Sequence, residues 1–158
     1  IIAIDIVDHK LKLAQDLGCT HIINSRQENP FKRIMELTDG QGVDCSIEAS
    51  GNKQIMETAF KSIKCFGGLC IIAGNLPQGK TISIDPMELI KGKSIVGTWG
   101  GGSNPDKDIP LYASLHKAKE IDLEKFLTHT YALSEINKAF EDLEQGKVVR
   151  AMVDMSLS

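Results

Sequence analysis

Several features that common functional classes require are missing from this sequence. It has no apolar run of about 18 residues, so no segment is predicted to span a membrane. It has no basic stripe, and its formal net charge of −3 argues against a nucleic-acid-binding surface. Aromatic residues make up only 5% of the 158 residues, whereas apolar residues make up 42%. The chain is therefore expected to fold around an aliphatic core, as layered α/β proteins do.

The cysteines lack the spacing of a metal site. Cys19, Cys45, Cys65 and Cys70 form no C-x-x-C pair, and no histidine lies at ligand spacing from them. They are interpreted as free thiols that behave as small apolar residues in a reducing compartment, which favours a cytoplasmic protein. No metal site is predicted from the residues of this chain.

Two glycine-containing stretches have to be distinguished from phosphate-binding loops. Gly74–Thr81 matches G-x-x-x-x-G-K-[ST], but the residues after Lys80 alternate like a strand, whereas a P-loop requires a helix there. Pro77 also removes an amide donor from this loop. The triple glycine at 100–102 begins no G-x-G-x-x-G motif, because Pro105 occupies the sixth position. The motif occurs nowhere else, so the pyrophosphate cradle of a dinucleotide-binding domain is absent from the sequence.

The first half of the chain alternates short apolar strands with amphipathic helices. Strands are predicted at Ile1–Ile4, Thr20–Ile23, Val43–Ile47 and Leu69–Ala73, and the intervening helices are expected to begin at Asp8 as a cap, at Pro30, and at Asn52 as a cap. This alternation predicts a parallel sheet covered by helices and joined by right-handed crossovers. Because the sequence opens inside an apolar strand pattern, we expect further residues to precede it.

The second half has a less regular pattern. Further strands are predicted at Lys80–Ile84, Ser94–Thr98, Thr128–Tyr131 and Arg150–Met155, and helices after Asp85, Pro105 and a capping Ser134. The pattern breaks near Lys119, which suggests a division into residues 1–118 and 119–158.

An acidic residue ends the first strand. In open parallel sheets the ligand lies at the carboxyl ends of the strands, and an acid there can accept hydrogen bonds from both hydroxyls of an adenosine ribose. Asp5 occupies this position, and its charge would also repel a 2'-phosphate. The residue therefore favours NAD over NADP, although an acid at a strand end can equally be a solvated helix-capping group.

The order of these landmarks resembles the medium-chain, zinc-type alcohol dehydrogenase family over nearly the whole chain. The matching segments are Ile2–Asp5 with Lys10-Leu11 and Leu17-Gly18, Gly42–Asp44 with Glu48–Gly51, Ala73-Gly74, Thr128-His129, Ile136–Phe140, and Gly146-Lys147 with Arg150. The segment from Leu127 to Arg150 is most similar to the group of class III and aryl or primary alcohol dehydrogenases. The resemblance implies a Rossmann-type doubly wound parallel sheet that lacks its first strand and glycine loop, followed by a segment that returns to the catalytic domain.

The resemblance assigns cofactor-binding roles to nine residues. It implies that Asp5 and Lys10 contact the adenosine ribose, that Ser50 and Asn52 line the adenosine side, and that Ala73 and Asn75 flank the nicotinamide. Backbone groups of Ala73, Thr98 and Gly100 would hydrogen-bond the carboxamide, and Arg150 would contact the pyrophosphate. Lys10 and Arg150 taken alone are more typical of solvated surface positions.

The implied parent protein is an NAD-dependent, zinc-containing alcohol dehydrogenase that moves hydride between a primary or aromatic alcohol and NAD. Its zinc ligands would lie in an N-terminal part outside this sequence, so no catalytic residue is expected here and the chain alone is predicted to be inactive. The strand order 3-2-1-4-5-6 predicts a gap at the sheet centre where the first strand is missing. The strand near Ile95–Trp99 is expected at the sheet edge, where it would form a homodimer or tetramer contact.

Three other interpretations remain open at this point. A zinc-free quinone or enoyl reductase of the same superfamily would share the fold, but such enzymes usually use NADP. A methyltransferase-like Rossmann domain would leave Arg150 and the glycine stretch at 100–102 without a role. A non-catalytic nucleotide-binding module would fit the missing catalytic part.

Overall fold

The computed structural model describes residues 1–157, which form two compact units that divide between Ser103 and Asn104. Each unit has its own core and is described separately. The predicted functional boundary near residue 118 concerns the roles of the segments and stays a prediction.

The first unit contains five strands and four helices in alternation. They are β1 (Ile2–Asp5), α1 (Asp8–Asp16), β2 (His21–Asn24), α2 (Pro30–Leu37), β3 (Cys45–Glu48), α3 (Lys53–Ser62), β4 (Leu69–Ile72), α4 (Pro86–Ile90) and β5 (Ser94–Gly97). All strand pairs in this unit are parallel, as the β-α-β alternation predicts.

The strands form two separate half-sheets. β1 pairs with β2, and β3, β4 and β5 pair in that order. Within residues 1–157 no strand lies between β1 and β3. The predicted gap at the sheet centre is therefore confirmed, because the free edges of β1 and β3 are the two edges that a first Rossmann strand would join.

The core of the first unit lies between the β3–β4–β5 half-sheet and α3. Phe60 and Ile63, at and just beyond the end of this helix, and Cys70 on β4 are 2% exposed or less, and five partly buried aliphatic residues pack against them. Asn52 caps α3 by accepting hydrogen bonds from the backbone N–H groups of Gln54 and Ile55. This core is mainly aliphatic, as the low aromatic content predicts.

Two local predictions for the first unit are wrong. Asp8 does not cap α1: the residue before the helix is Val7, and the Asp8 carboxylate instead accepts a hydrogen bond from the Asn24 amide. Lys80–Ile84 is not a strand, because it pairs with no other strand and the N–H of Ser83 donates to the side chain of Glu57. The glycines at 100–102 form a short 3-10 turn.

The second unit is smaller. It contains α5 (Pro105–Lys117), β6 (His129–Ala132), α6 (Ile136–Glu144) and β7 (Ala151–Asp154), and β6 and β7 pair in parallel. Its buried residues are Tyr131, Ala139 and Val148. Ser134 does not cap α6, since it lies inside a 3-10 turn, and the Glu135 carboxylate accepts the N–H of Ala132 instead. No helix among the described residues is long and apolar enough to cross a membrane.

Candidate dinucleotide-binding edge

The predicted site residues of the first unit lie mainly where its strands end. β1 ends at Asp5, β3 at Glu48, β4 at Ile72 and β5 at Gly97, and within each half-sheet the parallel strands end on one edge. Ligands of open α/β sheets bind at this edge. Three loops leave the β3–β4–β5 half-sheet there.

One carboxylate oxygen of Asp5 accepts hydrogen bonds from the protein backbone, and the other accepts none within residues 1–157. Its Oδ1 accepts hydrogen bonds from the backbone N–H groups of Ile6, at 2.7 Å, and Val7, at 2.9 Å. Within residues 1–157 no hydrogen bond reaches Oδ2. The backbone thus fixes the orientation of the carboxylate, and the second oxygen remains available to accept from a ligand hydroxyl.

Lys10 follows in the first turn of α1 and is half-buried. Its N–H donates to the carbonyl of Val7, while its ammonium makes no ion pair within the described part of the chain. The structure shows no direct bond between Lys10 and Asp5. That Lys10 and Asp5 contact the same ribose remains a prediction.

Glu48 organises the loop that leaves β3. The side chain is only 2% exposed, and its Oε1 accepts from the backbone N–H groups of Ser50 and Gly51 and from the Ser50 hydroxyl. The Glu48 carbonyl also accepts from Ala73 and Gly74 at the end of β4. Glu48 was not among the predicted site residues. A charged residue that ends an apolar strand just before Ala-Ser-Gly was the available signal.

The loops after β3 and β4 are in direct backbone contact. A Cβ atom placed on Gly51 would lie 2.4 Å from the Asn75 carbonyl oxygen, and one on Gly74 would lie 2.3 Å from the Gly51 nitrogen. Gly51 also has a φ of +71°. Only glycine permits this approach, which brings the segment Ser50–Asn52 next to the segment Ala73–Asn75.

The side chains of Ser50 and Asn52 already have structural partners. The Ser50 hydroxyl donates to Glu48 and accepts from the N–H of Asn52, and Asn52 Oδ1 accepts from two N–H groups of α3. Both residues are exposed at the edge. The amide nitrogen of Asn52 is the group of this pair that is most available to a ligand.

Several backbone groups in the loops after β4 and β5 have no hydrogen-bond partner among residues 1–157, and three of them belong to predicted cofactor-binding residues. The N–H of Ala73 donates to the Glu48 carbonyl at 2.7 Å, and the N–H of Thr98 donates to the Ile72 carbonyl at 3.0 Å. Within residues 1–157 the carbonyls of Ala73 and Thr98 and the N–H of Gly100 take part in no hydrogen bond. Two acceptors and one donor are what a primary carboxamide requires, since it has two N–H donors and one carbonyl.

Arg150 belongs to the second unit. It is exposed and immediately precedes β7, where its backbone N–H donates to Thr128 Oγ1 at 3.3 Å and its carbonyl accepts from Thr128. Its predicted contact with a pyrophosphate stays a prediction.

A cavity on the α2–α3 side of the first unit is lined by both aromatic and charged side chains. It has a volume of about 530 Å³, and its lining includes Phe31, Phe60, Glu88 and Lys93. Lys93 Nζ lies 2.6 Å from Glu88 Oε2, and the hydrogen bond from Lys93 lowers the pKa of the Glu88 carboxyl. Lys93 and Glu88 neutralise each other, and the lining also includes Lys61, whose Nζ lies 4.4 Å from the centre of the Phe31 ring.

No metal cluster is found in the part of the chain that the structure describes. No three His, Cys, Asp or Glu side chains within residues 1–157 lie close enough to hold a metal ion. These residues do not fit a zinc ion, so no zinc-dependent step is derived from them.

The half-sheets, their order and the strand-end site define part of a Rossmann-type dinucleotide-binding domain. Residues 1–117 match the model of the zinc-binding dehydrogenase family. The chain belongs to this family, which confirms the resemblance seen in the sequence.

Individual relatives agree with the assignment. The chain is 34% identical to alcohol dehydrogenase 1 of Petunia hybrida and covers 41% of that protein with 98% of its own length. Alcohol dehydrogenase 2 of Zea mays is also 34% identical, with the same coverage. Among solved structures, benzyl alcohol dehydrogenase from Acinetobacter calcoaceticus superposes with a TM-score of 0.91 at 32% identity, over 97% of this chain and 42% of that one. The chain thus spans about two fifths of these relatives.

Proposed function

We propose that this chain is the NAD-binding part of an NAD-dependent, zinc-containing alcohol dehydrogenase, which transfers hydride between a primary or aromatic alcohol and NAD. The observation that carries the proposal is Asp5, which ends β1. One of its carboxylate oxygens is fixed by two backbone N–H groups, and the other has no hydrogen-bond partner among residues 1–157. The names of the relatives support the class of reaction.

The residues at the edge would bind and orient the cofactor. Asp5 Oδ2 would accept from the ribose diol, with Lys10 beside the same sugar, and Ser50 and Asn52 would line the adenosine side. Bound NAD would supply the hydride acceptor of the reaction. Asp5 favours NAD because its negative charge repels the 2'-phosphate of NADP.

The backbone groups after β4 and β5 would fix the face of the nicotinamide. The carbonyls of Ala73 and Thr98 would accept from the carboxamide nitrogen, and the N–H of Gly100 would donate to its oxygen. Asn75 would flank the ring from the β4 loop. Such a complementary set orients the ring, because a flipped carboxamide would place donor against donor. Arg150 would add a cation for the pyrophosphate.

The remaining assignments concern the parent protein. Its substrate would be a small alcohol or aldehyde, and the zinc that polarises the alcohol oxygen would be held by residues outside this chain. The exposed edge of β5 would form a homodimer or tetramer contact. The four free cysteines favour a cytoplasmic location.

The test uses the full-length enzyme that contains this chain. Oxidation of benzyl alcohol is measured with NAD and with NADP, for the wild type and for Asp5→Asn. We expect the wild type to prefer NAD, and the variant to lose about tenfold to a hundredfold in kcat/KM for NAD, because a charge-assisted hydrogen bond is removed.

Asp16→Asn is the matched control, since it removes the same charge from an exposed position of α1 and should leave both cofactors unaffected. A wild-type preference for NADP, or equal losses in the two variants, would contradict the role of Asp5. The coding sequence upstream of Ile1 gives an independent check: the proposal requires an in-frame G-x-G-x-x-G about twenty residues before Asp5.

A further inference from the structure

Glu48 is a charged residue in a buried position. It ends β3 and is 2% exposed, and within residues 1–157 no lysine, arginine or histidine forms an ion pair with it. Taking a carboxylate out of water costs free energy unless hydrogen bonds or an opposite charge compensate for the lost hydration. In this part of the chain the compensation for Glu48 comes from hydrogen bonds.

The hydrogen bonds to this side chain come from one short loop. Glu48 Oε1 accepts from the backbone N–H groups of Ser50, at 2.7 Å, and Gly51, at 3.2 Å, and it also accepts from the Ser50 hydroxyl. The other oxygen, Oε2, is buried and receives no hydrogen bond in the described part of the chain. A single oxygen atom of Glu48 therefore holds the loop that leaves β3.

This attachment continues from Ser50 to Asn52. The Ser50 hydroxyl oxygen, which donates to Glu48, accepts the N–H of Asn52 at 3.2 Å. Asn52 Oδ1 in turn accepts from the N–H groups of Gln54 and Ile55 at the start of α3. The Asn52 side chain is thus held by its oxygen, and within residues 1–157 its amide nitrogen donates no hydrogen bond.

The backbone of Glu48 holds the neighbouring loop. Its carbonyl accepts from the N–H groups of Ala73, at 2.7 Å, and Gly74, at 2.9 Å. The side chain of Glu48 therefore connects to the loop after β3, whereas its backbone connects to the loop after β4. A substitution of the side chain should disturb the first loop and leave the backbone bonds to the second in place.

We propose that Glu48 is a positioning residue for the adenosine half of a bound NAD. It touches no ligand itself, and it acts through Ser50 by holding the Asn52 amide nitrogen in place for hydrogen bonding to that half. The reach of its Oε1 atom, and not its negative charge, performs this role. The inference rests on the proposed function and deepens it, because it takes the ligand of the edge to be NAD.

Two substitutions separate the length of this side chain from its charge. Glu48→Asp keeps the charge but removes one methylene group, so the carboxylate stops about 1.5 Å short of the loop donors. Glu48→Gln keeps the length and an acceptor oxygen. Its amide N–H₂ group opposes no donor, because Oε2 receives none within residues 1–157. The proposal therefore gives the two variants opposite outcomes.

The test uses the full-length enzyme and ADP-ribose, which is NAD without its nicotinamide. Calorimetry measures the Kd of ADP-ribose, and steady-state kinetics measure kcat and the KM for NAD. We expect Glu48→Asp to raise both the Kd and the KM roughly tenfold without a fall in kcat, because the loop after β4 keeps its backbone bonds. Glu48→Gln should stay within about twofold of the wild type in all three constants.

Further variants follow the route from Glu48 to the ligand. In an Asn52→Ala background, Glu48→Asp should raise the Kd by less than about twofold, because the group that Glu48 positions is already absent. Ser50→Ala removes the connecting hydroxyl and should raise the Kd about threefold to fivefold, which keeps the test valid if Glu48→Asp does not fold. Ile63→Val is the stability control. Ile63 is 1% exposed in the core, so this change should lower Tm and leave the Kd and the KM unchanged.

Several results would overturn the role of Glu48. Equal losses in Glu48→Asp and Glu48→Gln would mean that the charge matters, and a loss confined to kcat or Tm would mean that the residue is merely structural. An undiminished effect of Glu48→Asp in the Asn52→Ala background, or an unchanged Kd in Ser50→Ala, would remove the route through these residues. A wild-type enzyme that does not bind ADP-ribose would overturn the proposed function as well, whereas tight binding with no response to Glu48→Asp would overturn this inference alone.

Discussion

The two units of the chain are stabilised by different kinds of core. In the first unit, Phe60 and Ile63 pack with Cys70 beneath the β3–β4–β5 half-sheet. In the second unit, buried Tyr131 donates its hydroxyl hydrogen bond to Asp142 Oδ2 at 3.0 Å, and Lys147 lies 3.2 Å from Oδ1 of the same carboxylate. The first unit should therefore respond most to changes of volume, and the second to changes of charge.

The largest effect is expected for Phe60→Ala. The side chain is 2% exposed, so its removal leaves a cavity in the core and should lower the free energy of unfolding of the first unit by about 3–5 kcal/mol. Urea unfolding measures the change. Phe66→Ala is the control, because Phe66 is 83% exposed and its loss should cost less than about 0.5 kcal/mol. Similar losses in both variants would mean that this core does not determine the stability.

Gly74→Ala should cause the next largest loss of stability. The added methyl group would lie 2.3 Å from the Gly51 nitrogen and 2.7 Å from Glu48 Oε2. The loops after β3 and β4 must therefore separate, which should lower the free energy of unfolding by about 1–3 kcal/mol. Gly97→Ala is matched to it, since nothing lies within 4 Å of the corresponding position. Thermal unfolding of both variants measures the difference. An unchanged Tm for Gly74→Ala would show that the loops separate without cost.

The residues that precede α3 and α5 allow a direct comparison of helix capping in the two units. Asn52 precedes α3 and accepts two hydrogen bonds from its N–H groups, whereas Asn104 precedes α5 and its side chain makes no capping hydrogen bond. Asn52→Ala should destabilise the chain by about 1 kcal/mol, and Asn104→Ala by much less. Urea midpoints at a constant m-value report this difference, and equal shifts would remove the capping explanation.

The smallest effect concerns acid stability of the second unit. Lys147, and then the Tyr131 hydroxyl, lower the pKa of the Asp142 carboxyl below its ordinary value of 3.8. The ionised carboxylate therefore stabilises the fold above 3.8, and this contribution is lost as the pH falls through the lowered pKa. Amide exchange at Tyr131 and Ala139, measured on either side of this pH, should show the loss in the wild type. In Asp142→Asn the pH dependence of this exchange should be weaker. An unchanged pH dependence in the variant would assign the acid sensitivity to another group.

The fold was largely predictable from local patterns, because β-branched runs and amphipathic helices repeat with short links. The parallel half-sheets and the gap between them follow from this order and from the strand order of doubly wound sheets. Lys80–Ile84 was predicted wrongly because alternation indicates an extended backbone but not a pairing partner, and the Ser83 amide bonds to Glu57. The caps predicted at Asp8 and Ser134 are wrong because each helix boundary lies one residue away from the polar residue that was expected to cap it. Val7 precedes α1 and Glu135 precedes α6, and neither makes a side-chain capping hydrogen bond.

The site was predictable only in part. Asp5 could be found from its place after a strand, because strand ends meet at one edge. The contact between Gly51 and Asn75 depends on how two loops pack across the half-sheet, which no local pattern encodes. The same is true of the backbone groups after β4 and β5, whose availability depends on which N–H groups the neighbouring loops have already used.

Trp99 gives the molecule an optical property. It is the single tryptophan of the sequence, it is 88% exposed, and it follows Thr98 at the end of β5. The indole emission of the whole chain therefore comes from one fluorophore in a water-like environment, at the edge where a nicotinamide or a second subunit is proposed to bind. Any partner that covers this edge would shift the emission towards shorter wavelengths, so the chain can report its own occupancy without a label.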